Sequence, residues 1–89
     1  MQVDRTTGLL TGVSYVDSPN RGPRPCGCQP ELIVIHSISL PAGSFGGDYI
    51  DRLFTNQLDT RRDERFVELY GLRVSAHLLI RRDGHMTQF

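Results

Sequence analysis

Three histidines and two cysteines are the residues here best suited to chemistry, and one histidine stands out by its setting. His36 ends the apolar run Leu32 to Ile35 in "ELIVIHS", Glu31 to Ser37. An imidazole can ligate a metal, move a proton or hydrogen-bond a neighbour. At the handover from a strand to a loop, it is aimed by a rigid element toward the region where ligand sites of sheet proteins gather. The same residue can equally be structural, bonded to nearby backbone, and the residue types alone leave both readings open. His77, in "RVSAHLLIR", shares a strand face with Ser75, Leu79 and Arg81, while Val74, Ala76, Leu78 and Ile80 take the other. Ser75 and His77 can line a cleft, or His77 can bond backbone. His85 adjoins a turn and is expected in solvent.

Hydrolysis of an amide at zinc would need three protein ligands, an open position for water and a nearby acid or base. Cys26 and Cys28, in "CGC", are too close for an unstrained disulfide, and no second cysteine pair completes a metal site. They read as two reduced loop thiols. There is no HExxH, no Gly-x-Ser-x-Gly and no phosphate-cradling glycine loop. Glu64 and Glu68, four apart among arginines, read as a solvated helix face.

The elements that must position these groups follow from pattern. Gly8 to Val16, "GLLTGVSYV", is β-branched and aromatic and predicts a short strand. A proline- and glycine-rich loop follows, up to Pro30. "ELIVIHS" does not alternate, which suits a central strand covered on both faces. Asp48 is placed to cap a helix with Ile50, Leu53 and Phe54 on one face. Asp59 or Thr60 would cap a second helix carrying Phe66, Leu69 and Tyr70, stopped at Gly71. Asp83-Gly84 predicts a hairpin with a two-residue turn, so that Arg82 faces His85, Ile80 faces Thr87 and Leu78 faces Phe89. That register leaves Val74 to His77 without partners. A strand with open hydrogen-bonding groups is one that folded proteins avoid, so the chain is expected to stop within its sheet.

The bulk composition is that of an ordinary globular chain of one domain: 89 residues, 38% hydrophobic and 22% charged. Ten arginines balance ten acids, with no lysine, so nothing favours a nucleic-acid partner. No basic stretch followed by a long apolar run opens the chain, and no apolar run is long enough for a bilayer. A cytoplasmic, non-membrane protein is the expectation.

"LIVIHSISLPAGSFGGDYIDRLFTNQLD", then "RVSAHLLIRRDGHMTQF", together with the earlier "SPN" and "RP", closely resemble the amino-terminal half of the AmpD-type 1,6-anhydro-N-acetylmuramoyl-L-alanine amidases. These belong to the amidase and peptidoglycan-recognition superfamily, and the resemblance runs from about Leu10 to Phe89. It implies an α/β fold, a mixed β-sheet with flanking helices, of which residues 1–89 form the amino-terminal portion of a single truncated domain. It implies a cytoplasmic zinc (Zn2+) enzyme that hydrolyses the amide between anhydromuramic acid and L-alanine in muropeptides recycled from the cell wall.

By resemblance, His36 is a zinc ligand. Ser37, Ser39, Phe45, Gly46 and Gly47 are substrate neighbours on the rim, and His77 is a cleft-wall or structural residue. The family's other ligands, a histidine and an aspartate, lie in the carboxyl-terminal half. The glutamate that works with the bound water and a lysine for the oxyanion lie there too. None has a counterpart here, so the 89 residues alone are expected to be inactive. The alternatives are a non-catalytic muropeptide-binding module and an interaction fragment that self-associates through an open sheet edge.

Overall fold

The computed structural model describes all residues from Met1 to Phe89. Strand β1 is Ser14–Tyr15, helix α1 is Tyr49–Phe54, a 3-10 helix spans Glu64–Leu69, and strands β2 and β3 are Leu78–Ile80 and Met86–Gln88. The sheet is mixed, in the order β1-β3-β2: β3 pairs antiparallel with β2 and parallel with β1. An α/β fold with a mixed sheet and short helices is therefore present, as expected.

The core forms where α1 meets the hairpin. Ile50, Leu53 and Phe54 are buried at the predicted helical spacing and close on Leu79. Phe54 meets Phe89 edge-to-face, with ring centroids 5.0 Å apart. Asp48 stands at the N-cap of α1 as expected, but its side chain makes no capping bond. It pairs instead with Arg52, at 2.7 Å, and that bond lowers its pKa.

The second helix differs in kind. Asp63, not Asp59 or Thr60, caps it by accepting from the Arg65 N–H, and the element is 3-10 rather than α. Bonds from Arg65 hold the Asp63 carboxyl down at about 2, so the cap stays charged at ordinary pH. At three residues per turn, Phe66 and Leu69 align while Tyr70 swings a third of a turn away. Phe66 is fully buried against Tyr49, and Tyr70 is exposed.

The hairpin is also corrected. Leu78 pairs with Gln88, Leu79 with Thr87 and Ile80 with Met86, so the loop has three residues, Arg82 to Gly84. Gly84 sits at φ +88°, and its N–H donates to the Arg81 carbonyl. This is a three-residue hairpin loop closed by a left-handed glycine, which competes with the two-residue turn for the same Asp-Gly pair. The shift settles which face is buried: Leu79 and Thr87 go in, while Leu78 and Ile80 stay out.

Val74 to His77 are not wholly unpartnered. The Val74 carbonyl accepts from Asn20 Nδ2 at 2.9 Å, and the His77 carbonyl accepts from the Phe89 N–H at 3.1 Å. The strand expected over Gly8 to Val16 shrinks to β1, because Asp4 folds the preceding residues into a turn bridged between Val3 and Leu10. Gln88 fixes that turn to the sheet, accepting from the Leu10 N–H and donating to the Gly8 carbonyl.

The largest difference concerns Glu31 to Ser37. No helix, turn or bridge occurs there, and from Gln29 to Ile38 no backbone group bonds another part of the protein. Leu32, Ile33, Val34 and Ile35 are 77–93% exposed. A strand exists only when a neighbour completes its ladder, and these residues supply a strand's side chains without one.

Candidate functional site

His36 follows this bare segment, exposed, its ring bonded to no protein group. Ser37 beside it is exposed. Beyond Ile38 the chain regains structure: Ser39 Oγ accepts from the Gly43 N–H at 3.0 Å, and the Ser44 N–H donates to the Pro41 carbonyl. Pro41 is buried, which anchors the loop at its base.

The far side of the loop is held by two adjacent arginines from the hairpin. Arg81 donates to the Gly47 carbonyl at 2.9 Å and pairs with Asp51 at 3.0 Å, both side chains being largely covered. Arg82 lays its guanidinium over the Phe45 ring, 3.6 Å from the centroid, as a cation–π contact. Phe45, Gly46 and Gly47 are thus fixed relative to α1 and the sheet. Gly46 and Gly47, at φ +92° and +73°, take a backbone course closed to most side chains. Under this loop lies a cleft of about 500 Å3, lined by Leu40, Ser44, Gly47, Tyr49, Arg52 and Arg62 among others.

The expected site residues are not brought to one point. His77 is exposed where the chain enters β2, and its neighbour Ser75 donates to the Ala76 carbonyl. His85, expected in solvent, is exposed but bonds Ser14 Oγ across the sheet through its Nε2, at 3.1 Å. Cys26 and Cys28 are free, exposed thiols, as read. No three His, Cys, Asp or Glu side chains assemble into a group able to hold a metal ion. One accessible imidazole at the end of a strand-like segment suits a single zinc ligand, but the donors within this chain do not make a zinc site.

Sequence reasoning missed Arg81, Arg82 and Asp51 as positioning residues. A clue was present, since alternation put Arg81 on the face of Leu79. An arginine on an inward face demands an acidic or carbonyl partner. Asn20 was also missed. Its Nδ2 donates to the Phe54 carbonyl, to Asn56 Oδ1 and to the Val74 carbonyl, while its own N–H donates to Ser18 Oγ. The Ser18 hydroxyl donates to the same Phe54 carbonyl at 2.5 Å. The "SPN" motif therefore ties the proline-rich loop to the end of α1 and to the approach to β2.

No family model matches the chain. Individual proteins do. The 1,6-anhydro-N-acetylmuramyl-L-alanine amidase AmpD of Escherichia coli K12 is 50% identical over 82 residues, which is 92% of this chain and 45% of that protein. The enzyme of the same name from Haemophilus influenzae is 45% identical over 86 residues, or 97% and 47%. A crystal structure of a selenomethionine derivative of AmpD superposes with a TM-score of 0.93 at 46% identity, covering all of this chain and 49% of that one. The solution structure of Citrobacter freundii AmpD, also 46% identical, gives 0.54. The chain spans about half the length of the curated relatives it matches.

Proposed function

We propose that this chain, AmpD-type over nearly its whole length, contributes the His36 side of a zinc-dependent anhydromuramoyl-L-alanine amidase site. The reaction would be hydrolysis of the amide joining the lactyl group of anhydromuramic acid to L-alanine of a muropeptide, in the cytoplasm. The observation that carries this reading is identity of 50% to a named amidase across 92% of the chain. The fixed loop beside His36 adds to it. No helix is long and apolar enough to cross a membrane, which is compatible with the same reading.

What zinc supplies in such chemistry is polarisation of the carbonyl and activation of water. His36 would be one ligand of three. Phe45, Gly46 and Gly47 would form part of the rim over the substrate, held there by Arg81 and Arg82, and Ser37 and Ser39 would flank it. A loop fixed in advance lowers the entropic cost of positioning the amide. With the remaining donors absent, the 89 residues alone would hold zinc weakly and leave muropeptide intact.

Isothermal titration with zinc, on this chain and on His36→Ala, tests the ligand assignment beside an amidase assay. Weak binding and no hydrolysis by the 89 residues are expected. Tight stoichiometric binding lost in His36→Ala would mean that His77, a cysteine or a second copy completes the site. Hydrolysis by the purified chain would overturn the account of an incomplete site.

A further inference from the structure

We infer that the turn from Pro25 to Cys28 is a metal site of its own, in which the thiolates of Cys26 and Cys28 chelate a soft monovalent cation, Cu(I). The site takes no residue from the loop around His36 and is independent of whether His36 binds zinc.

Three observations carry it. The first is the pair of thiols. Cys26 and Cys28 are both free and both exposed, so two soft donors one residue apart stand open to solvent. The second is the backbone beneath them. The Cys28 N–H donates to the Pro25 carbonyl at 3.1 Å, which closes a tight turn. Gly27, the third residue of that turn, sits at φ +81°, a left-handed backbone that favours glycine. Extended backbone would hold the two cysteines about 7 Å apart, and the turn draws them together. Pro23 and Pro25 stiffen the approach to it. The third is what the surroundings lack. No acidic residue occurs between Asp17 and Glu31, and no third His, Cys, Asp or Glu side chain joins the two thiols in a metal-holding group.

That donor set selects the ion. Zinc takes four ligands in a structural site, and calcium and magnesium take oxygens. Thiolates favour soft ions, and Cu(I), with its filled d shell, is satisfied by two sulfurs. A disulfide fits less well, because one intervening residue strains the short S–S bond and its fixed dihedral. A copper ion between the sulfurs enlarges the ring by one atom and imposes no such dihedral. Binding forms two copper–sulfur bonds and releases the two thiol protons to solvent, with no electron transferred.

The test is an anaerobic titration of the 89-residue chain with Cu(I) against a chromophoric copper chelator, in thiol-free buffer. One copper per chain is expected, with a thiolate-to-copper charge-transfer band in the ultraviolet. Cys26→Ser and Cys28→Ser should each weaken binding by about 100-fold or more and remove the band, since one thiolate cannot chelate. Both side chains are exposed, so the amide spectrum of α1 and the sheet should stay in place. A Cβ at Gly27 would meet no atom within 4 Å, so Gly27→Val disturbs only the backbone of the turn. It should weaken copper binding about tenfold, the cost of left-handed backbone in a residue with a side chain. His36→Ala should bind copper as the parent chain does, and zinc should bind the cysteine pair about 100 times more weakly than copper. Copper binding that survives either serine variant would overturn the inference, as would loss of binding in His36→Ala or indifference to Gly27→Val. One copper per two chains would also overturn it, because the sulfurs would then come from different copies. Failure of zinc to bind near His36, with copper binding intact, would sink the amidase-site reading and leave the chelate standing.

Discussion

Two stretches of this chain are nearly equally apolar and have opposite fates. Ile50, Leu53 and Phe54 of α1 are buried against Leu79, while Leu32 to Ile35 stand in water. The difference lies in how each backbone is satisfied. A helix closes its hydrogen bonds within itself, so α1 needs only a surface to pack on, and the hairpin supplies one. A strand leaves all of its backbone N–H and C=O groups to neighbours on its two edges, and no part of these 89 residues offers Leu32 to Ile35 a ladder. Burying each of those side chains would contribute about 1.5–3 kcal/mol, so their exposure marks an unmet requirement and not a neutral surface.

Substitutions on the two sides should separate them sharply. Phe54→Ala should have the largest effect, about 3–5 kcal/mol, through loss of the ring that meets Phe89 and the cavity left behind. With eight of 89 residues buried, that loss should collapse the dispersed amide spectrum. Asn20→Ala comes next. It strips a donor from the Phe54 and Val74 carbonyls together, for about 1–3 kcal/mol, read by urea denaturation. Arg81→Met should cost about 1 kcal/mol, and should broaden or shift the Phe45 to Gly47 amides more than those of α1. Ile33→Ser in the isolated chain should change stability by less than about 0.5 kcal/mol. If Ile33→Ser proved as damaging as Phe54→Ala, the bare segment would be packed in solution and the contrast would fail.

The sequence was most legible where structure is local. The face of α1, the stop at Gly71 and the loop after His36 follow from spacing and residue type. It was least legible where a partner decides. "ELIVIHS" states that both faces require cover, and nothing in those letters says which chain provides it. Asp83-Gly84 serves two loop lengths, and the choice moved every cross-strand pair by one. The helix at Glu64 is 3-10, and its cap is Asp63, about one turn later than the expected caps, accepting from Arg65. Its shorter period then released Tyr70 to solvent. Arg81 and Arg82 find their partners, Gly47 and Phe45, in a loop distant in sequence, which local pattern does not reveal.

The position of β3 bears on how the protein is made. The middle strand of the sheet is Met86–Gln88, and the β1 residue Ser14 pairs with Thr87. On a ribosome, β1 emerges long before the strand it must join, and β2 precedes it as well. No part of the sheet can form until these residues have left the exit tunnel. Closing such a long loop is slow, so the nascent chain carries its apolar run unshielded throughout synthesis. Leu32 to Ile35 is the longest unbroken apolar run that the nascent chain exposes in that interval.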